Sequence, residues 1–336
     1  MDPQPYLGRP IQIGELRLTL PDFLRTVAAH LEAPEKAPPA GLLLAAERFL
    51  GAGLPALHDH DGRHTWLEYR LRTETAARHP PDLYRTLLST AELSLQDGRV
   101  DDFYFVHKPP GLRVRLHTTP AHREETAVRL QQTWDELQAR NIIAHSGQAV
   151  YEPEQQLFGG PTSMRSVHRI FTADSLLWLR YLSLEKPPSP VWALSLSMIR
   201  SLLNQLRITE LEDRDVWDRV RWQAGRRFQG RPPEGWASTA ARLNFTWLSP
   251  GRLDTLREEA IQPAYEDFQR SIAEACAQWH AEYFASPEAR VGPREAAAFV
   301  LVFHWNRARL PKEWQVGICE ALAQGPSYEA GTHDES

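Results

Sequence analysis

The sequence has little cysteine, no long apolar run and no excess of basic charge, and each absence removes a class of protein. Cys276 and Cys319 are the only cysteines in 336 residues, and each lies in a segment with helical spacing, so neither a disulfide framework nor a zinc site is expected. The apolar run AAAFVLVF at 296–303 is too short to cross a bilayer, and the start MDPQPYLGRP has no signal pattern. A net charge of −5 gives no field that attracts nucleic acid or anionic lipid. We therefore expect a cytoplasmic protein with no nucleic-acid or membrane partner.

Nucleotide and hydrolase motifs are missing as well. The sequence has no GxGxxG, no P-loop and no GxSxG, so dinucleotide, nucleoside triphosphate and simple serine-hydrolase functions have no support. The turn HDHDGRH, with His58, His60 and His64, resembles a set of metal ligands, but no second ligand cluster accompanies it. We expect neither a metal nor a cofactor.

The elements that are present predict an α+β fold. Strand-like runs such as TWLEYRLRT, FYFVH and LRVRLHT fall in the N-terminal half, whereas helical spacing dominates the C-terminal half, which favours an antiparallel sheet packed by helices over a doubly wound sheet. We expect three parts: a helical extension at 1–60, a catalytic domain at 60–324 and a disordered tail at 325–336. The segment 225–239 is predicted to be a loop. Eleven tryptophans indicate a large core or an aromatic groove, and we favour the core.

Two arginines stand out in the strand LRVRL. Arg113 and Arg115 are two residues apart, so their guanidinium groups leave the same face of the strand. Such a pair can bind a carboxylate or another anion, although the same spacing is also typical of a solvated strand face.

Other candidate groups occur singly. Glu152 and Glu154 share one face of a predicted short strand, VYEPE, before a Gly-Gly turn that permits a close approach to a ligand or another backbone. His168 begins HRIFTADS, in which Asp174 is interpreted as a helix cap. His304, Asn306 and Arg307 follow an apolar run, where a histidine is more often structural than catalytic.

The order of these motifs resembles the elimination domain of lanthipeptide dehydratases and its standalone thiopeptide relatives. The resemblance covers roughly residues 60–315 and rests on WLEYRL, FYFVHKPPGLRVRL, VYEPEQQLFGG, HRIFTADS and FHWNRARL. It implies an enzyme that acts on a leader-bearing precursor peptide alongside other biosynthetic enzymes. The positions that match the family's functional residues are Arg113, Arg115, Glu154, His304, Asn306 and Arg307.

Two positions depart from the family pattern. Leu157 stands where the resemblance implies an arginine, and His168 stands where it implies a glutamate. Because an unpaired buried charge is strongly destabilising, joint loss of a cation and a carboxylate indicates a site rebuilt for a different ligand. Thiopeptide pyridine synthases, which join two dehydroalanines by a formal [4+2] aza-cycloaddition and expel water and the leader peptide, fit this description.

The expected function is therefore that of a cofactor-free bacterial pyridine synthase. We expect His168, Glu154 and His304 to be catalytic, with His168 acting in proton transfer near neutral pH. Trp236, Trp247 and Phe245 are expected to pack on an azole-rich substrate, and the basic residues of the leader site are expected to be Arg221, Arg226 and Arg227. The alternatives are a standalone glutamate-elimination subunit, which generates dehydroamino acids from glutamylated Ser or Thr, and a non-catalytic leader-binding scaffold.

Overall fold

A computed structural model describes residues 10–32, 41–50, 65–73, 80–187, 189–209, 211–255 and 259–325. The chain divides into two compact units, residues 1–62 and 63–336. The predicted tail after Gly325 and the histidine-rich turn at 58–64 lie outside the described residues. No described helix combines the length and apolarity needed to cross a membrane.

The first unit contains a β-hairpin as well as helices, so the expected extension is not purely helical. Strand β1 (Pro10–Ile13) pairs antiparallel with β2 (Leu16–Thr19), and helix α1 (Leu20–Glu32) follows directly. The hydroxyl of Thr19 accepts a hydrogen bond from the Asp22 amide at 3.3 Å, which satisfies a free N–H group at the start of α1. A second helix, α2, spans residues 42–50. Ile13, Phe23 and Leu42 belong to the small core of this unit.

The second unit is built on a four-stranded antiparallel sheet in the order β4-β5-β3-β6. Its strands are β3 (Trp66–Arg72), β4 (Val100–Lys108), β5 (Gly111–Thr118) and β6 (His145–Ala149). Strands β4 and β5 form a hairpin closed by the predicted Lys108-Pro-Pro-Gly turn. Alternating apolar residues of β3, β4 and β5 enter the core, as expected for strands with one face packed by helices.

Helices make up most of the rest of this unit, which confirms the α+β class. They are α3 (Pro81–Gln96), α4 (Arg123–Ala139), α5 (Pro161–Leu182), α6 (Val191–Gln205), α7 (Glu212–Gln223), α8 (Trp236–Leu248), α9 (Pro250–Thr255), α10 (Gln262–Trp279), α11 (Pro293–Ala308) and α12 (Lys312–Gln324), with short 3₁₀ segments at Gln155–Phe158 and Glu259–Ile261 and a π-helical turn at His280–Phe284. Helix α5 is the central one, since it packs against β4, α3 and α10.

Tryptophan is used mainly as a core residue, as expected. Five indole side chains are fully buried, namely those of Trp134, Trp178, Trp217, Trp279 and Trp305. Burying an aromatic ring of this size is strongly favourable, so these residues hold the helices together.

Three local predictions differ from the structure. The strand before the Gly-Gly turn ends at Ala149, so YEPE is irregular chain that leads into the 3₁₀ turn Gln155–Phe158. The predicted loop at 225–239 ends earlier, because α8 begins at Trp236. Asp174 lies inside α5 rather than at its start, and therefore cannot cap it.

Candidate functional site

The strand register gathers a row of polar and aromatic side chains on one face of the sheet. Arg115 of β5 lies opposite Glu68 of β3 and opposite Tyr104 of β4. Residues that pair directly across antiparallel strands point to the same face, and residues two apart on a strand do so as well. The row therefore also contains Arg70, Trp66, Asp102, Arg113 and His117.

A buried ion pair lies at the centre of this row. The Arg115 Nε donates to Glu68 Oε2 at 2.8 Å and its Nη1 donates to the Tyr104 hydroxyl at 3.0 Å. The side chains of Arg115 and Glu68 are 3% and 1% exposed. The second carboxylate oxygen, Glu68 Oε1, has no hydrogen-bond partner among the described residues, although Arg70 Nε lies 3.7 Å away and Arg113 Nε 3.9 Å away. Arg115 is thus held by an internal carboxylate, whereas Arg113 remains partly exposed.

Helix α5 covers the row with His168. The His168 Nε2 and the Tyr151 hydroxyl are 2.7 Å apart and hydrogen-bonded, and the centre of the His168 ring lies 4.4 Å from that of Trp66. Burial, with the nearby His117 and Arg115, lowers the pKa of His168 to about 3. The imidazole is therefore neutral at pH 7, which argues against the expected proton transfer by this residue in its buried position.

Two tyrosines complete the layer around Arg115. Its guanidinium lies 5.1 Å from the Tyr104 ring centre and 4.9 Å from that of Tyr151. Burial raises the pKa of Tyr104 to about 12, against the opposing effect of Arg115. The exposed Glu154 is close enough for its charge to raise the pKa values of Tyr104 and Tyr151. The Glu154 carboxylate therefore lies at the margin of this cluster, and both phenols remain protonated hydrogen-bond donors at neutral pH.

The C-terminal histidine belongs to a second, deeply buried cluster. His304 Nδ1 is hydrogen-bonded to Asp174 Oδ1 at 2.6 Å and its Nε2 lies 2.9 Å from Ser195 Oγ. Arg307 Nε donates to the other oxygen of Asp174. Burial raises the pKa of Asp174, but His304 and Arg307 outweigh it and hold the pKa of that carboxyl below its usual value.

These distances match those of a Ser-His-Asp triad, but the surroundings do not. Ser195 is fully buried, and its hydroxyl also accepts a hydrogen bond from Trp305 Nε1 at 3.2 Å. His304 is 3% exposed and Arg307 is fully buried. A substrate cannot reach Ser195 in this arrangement, so the cluster stabilises the contact between α5, α6 and α11.

The ring of Phe171 lies between the two clusters. It contacts the Tyr104 ring at a centroid distance of 5.3 Å, and the Arg307 guanidinium stacks on it at 4.5 Å. Sequence order suggested one site containing His168 and His304, whereas the structure holds them in separate clusters on either side of this ring. Asn306 makes its contact through the backbone: its carbonyl oxygen is hydrogen-bonded to His107 Nδ1 at 3.0 Å.

The aromatic residues expected to bind the substrate lie in the helical part of the unit. Trp247 is 6% exposed and packs edge-on against Trp217, so it is a core residue and not part of a substrate-facing wall. Trp236 is half-buried and packs edge-on against Phe228. Phe245 is exposed, with the Arg252 guanidinium 4.8 Å from its ring centre.

The three arginines proposed for leader binding differ in their availability. Arg221 pairs with Asp218 at 2.7 Å and with Glu320 at 2.9 Å. Arg226 donates to Gln315 at 2.8 Å, and burial lowers its pKa. Arg227 is exposed and lies over the exposed ring of Trp222 at 4.3 Å. Only Arg227 of these three presents its charge to solvent without a partnering carboxylate among the described residues.

Metal binding has no support within the described ranges. They contain no group of three or more His, Cys, Asp or Glu side chains that could hold an ion. His58, His60 and His64 lie outside those ranges.

Comparison with known protein families identifies the class of domain that this fold represents. Residues 66–324 match the family described as lantibiotic biosynthesis dehydratase C-term, and the chain belongs to this family, which confirms the expected resemblance.

A solved structure supports the fold. The chain is similar to the tRNA-dependent lantibiotic dehydratase MibB from Microbispora sp. 107891, with 16% sequence identity and a TM-score of 0.58. The similarity covers 77% of this chain but only 28% of MibB. A comparison with curated protein sequences finds no match.

Proposed function

We propose that the chain is a thiopeptide pyridine synthase. It would join two dehydroalanines of one precursor peptide by a formal [4+2] aza-cycloaddition and then release water and the leader peptide. The observation that carries this proposal is the neutral, buried His168, hydrogen-bonded to Tyr151 where the family resemblance implies a glutamate.

The charge balance of the site supports this function over glutamate elimination. An eliminator must hold a glutamyl group with a free carboxylate, which calls for unpaired cations. Here the Arg115 guanidinium is already paired with Glu68 at 2.8 Å, and Leu157 replaces an expected arginine and packs against the core. Dehydroalanines carry no charge, so a site of phenols, a neutral imidazole and an indole suits them better.

Positioning is the main requirement of such a reaction. Holding two distant dehydroalanines in one near-attack geometry can contribute about 7–11 kcal/mol to lowering the barrier. Arg113, partly exposed beside Glu68, would hold backbone carbonyls of the peptide by hydrogen bonds. In this proposal His168 orients the Tyr151 hydroxyl and does not carry protons itself, because burial lowers its pKa to about 3.

The runner-up is a standalone glutamate-elimination subunit. Retention of Arg113, Arg115 and Glu154 in one region favours it, since two cations and a carboxylate can serve a β-elimination. The non-catalytic scaffold is the third candidate, and the enclosed polar cluster around Arg115 disfavours it, because a peptide-binding scaffold would not need a buried ion pair that is difficult to maintain.

Two peptide substrates distinguish these functions. The purified chain is incubated, without metal or nucleotide, with a leader-bearing peptide that contains two dehydroalanines and, separately, with its glutamylated precursor, and products are followed by mass spectrometry. We expect loss of one water and appearance of free leader from the first peptide and no change in the second. Loss of glutamate from the second peptide alone would establish the eliminator, and binding without conversion of either would establish the scaffold.

A pair of arginine variants tests the position of the site. Arg113→Gln should slow conversion, whereas Arg129→Gln, which removes an exposed charge paired with Glu125 on α4, should not. Equal rates in the two variants would place the peptide elsewhere.

A further inference from the structure

A β-bulge in β4 brings two carboxylates to one histidine of the candidate site. Val100 pairs with Thr118 and Asp102 pairs with His117, with a register irregularity between them, so Asp101 is the extra residue. Asp101 Oδ2 lies 3.6 Å from His117 Nδ1 and Asp102 Oδ2 lies 4.0 Å from it. Bulges often re-aim side chains next to active sites; this one aims both aspartates at the same ring nitrogen.

His117 is also the accessible histidine of the cluster. It follows Arg113 and Arg115 on the same face of β5, and its side chain is 29% exposed. Its ring stacks on Trp66 at a centroid distance of 5.0 Å, and the other histidine, His168, contacts Trp66 at 4.4 Å. Because Nδ1 faces the aspartates, Nε2 points away from them, and it makes no hydrogen bond to any residue in the described ranges.

We infer that His117 is the catalytic residue that carries protons in the proposed cyclisation, with Asp102 as its positioning residue; this inference rests on the proposed function. His117 Nε2 takes the proton from a substrate amide nitrogen and returns it to the carbonyl oxygen of the same amide, which becomes an imidic acid. After ring formation it takes a proton from a ring carbon and gives it to the departing hydroxyl, which leaves as water. A second transfer of the same kind, to the nitrogen of the departing leader amide, releases the leader. Each proton taken is returned, so the enzyme ends unchanged.

The charges around His117 suit a base that becomes briefly cationic. Asp101 and Asp102 face it from β4, and Arg115 lies on the same strand. Burial lowers the pKa of His117, against an opposing effect of Asp101, so the resting ring is neutral and can accept a proton. The imidazolium formed would lie beside two carboxylates, which stabilises it.

The carboxyl group of Asp102 also contacts helix α5. The Thr172 hydroxyl lies 2.9 Å from the His168 carbonyl oxygen and 3.3 Å from Asp102 Oδ1, so these two acceptors share its one hydrogen. Burial raises the pKa of Asp102 to about 7, against the opposing effects of this hydrogen bond and of Arg169. Ionised Asp102 supports the imidazolium and protonated Asp102 does not, so the rate should rise with pH through about 7.

The test begins with the wild-type enzyme and the peptide that carries two dehydroalanines. If the wild type does not cyclise that peptide, the proposed function fails, and the variants are not needed to show it. If it does, His117→Gln should lower kcat by a factor of about 10² to 10⁴ with little change in KM. His117→Ala should regain turnover when free imidazole is added, and His145→Gln, at an exposed position of β6, should behave like the wild type.

The pH profile of the Asp102→Asn variant provides an independent measurement, because loss of a residue with only a packing role would not change the shape of that profile. This isosteric variant should lose the rise in rate through pH 7 while retaining peptide affinity. A cyclising wild type whose turnover is unaltered by His117→Gln would overturn the inference. So would an unaltered pH profile in Asp102→Asn, which remains decisive even if the His117 variants fail to fold.

Discussion

Replacing Asp174 by asparagine should strongly destabilise the second unit. Asp174→Asn keeps the shape of the side chain but leaves Arg307, which is fully buried, without a counter-charge. Breaking a buried pair in this way costs about 3–5 kcal/mol. The matched control is Asp267→Asn, whose partner Arg270 and whose own side chain are 69% and 70% exposed; an exposed pair of this kind contributes less than about 1 kcal/mol.

Urea unfolding followed by tryptophan fluorescence measures this effect cleanly. All eleven tryptophans lie in residues 63–336, so the signal reports on the second unit alone. We expect a lower midpoint with an unchanged m-value. The double variant Asp174→Leu with Arg307→Met, which removes both charges, should recover much of the lost stability because no orphaned charge remains.

The contribution of Asp174 to stability also depends on pH. The pKa of Asp174 is held below its ordinary value by His304 and Arg307 although burial raises it. Its ionised form therefore contributes stability that is fully present above the unfolded pKa of about 3.9 and is lost as pH falls through the folded pKa. The gap between wild type and Asp174→Asn should narrow only in that acidic range. A loss no larger than that of Asp267→Asn at pH 7 would refute the reasoning.

Three further outcomes are expected. Gly159→Ala should be more destabilising than Gly160→Ala by about 1–3 kcal/mol in urea unfolding, although both glycines have positive φ. A Cβ at Gly159 would lie 1.7 Å from the Tyr283 hydroxyl, whereas a Cβ at Gly160 would meet no heavy atom of the described residues within 4 Å. Equal losses of stability in the two variants would contradict this. Burial lowers the pKa of His168 to about 3, so between about pH 6.5 and that value this histidine is protonated in the unfolded chain but not in the native state. The free energy of unfolding should therefore decrease as the pH is lowered through this window, and it should decrease less in His168→Gln. An NMR titration of His168 near its ordinary pKa would disprove its burial. Arg227→Glu should weaken leader-peptide binding and reduce its salt dependence in fluorescence titrations, whereas Arg221→Glu should mainly destabilise the fold because it breaks the contact with Glu320; unchanged affinity for Arg227→Glu would move the leader site elsewhere.

The sheet could be predicted from local pattern, because alternation and turn chemistry are written in short segments. TWLEYRLRT, FYFVH and LRVRLHT became β3, β4 and β5. Their order in the sheet depends on pairings between distant segments, and a single sequence does not encode those visibly.

The candidate site was found only in part for the same reason. Arg113 and Arg115 were visible as a pair on one strand, but their partner Glu68 lies 47 residues before Arg115. The alternation of Trp66, Glu68 and Arg70 in WLEYR was a usable signal for a polar strand face. It acquired meaning only through the register that sets Glu68 opposite Arg115.

For Asp174, a clear local pattern led to the wrong interpretation. The pair Asp-Ser before an apolar run is typical of a helix start, and that local pattern suggested a cap. The competing fact is tertiary: His304 and Arg307, more than a hundred residues later, need a carboxylate inside the core. A buried charge of this kind can be recognised only when its partner is known.

The bulge at Asp101 has a consequence for how the length of strand β4 can vary among relatives. Deleting Asp101 would leave Val100 and Asp102 on their present partners, Thr118 and His117, and would convert the irregularity into an ordinary ladder. Deleting one residue further along the strand would instead shift the remaining side chains to the opposite face and remove Tyr104 from Arg115. Strand β4 therefore contains one position at which an insertion or deletion leaves the central ion pair intact, and relatives that differ in length there would retain Arg115 and Glu68 while differing in the number of carboxylates beside the histidine.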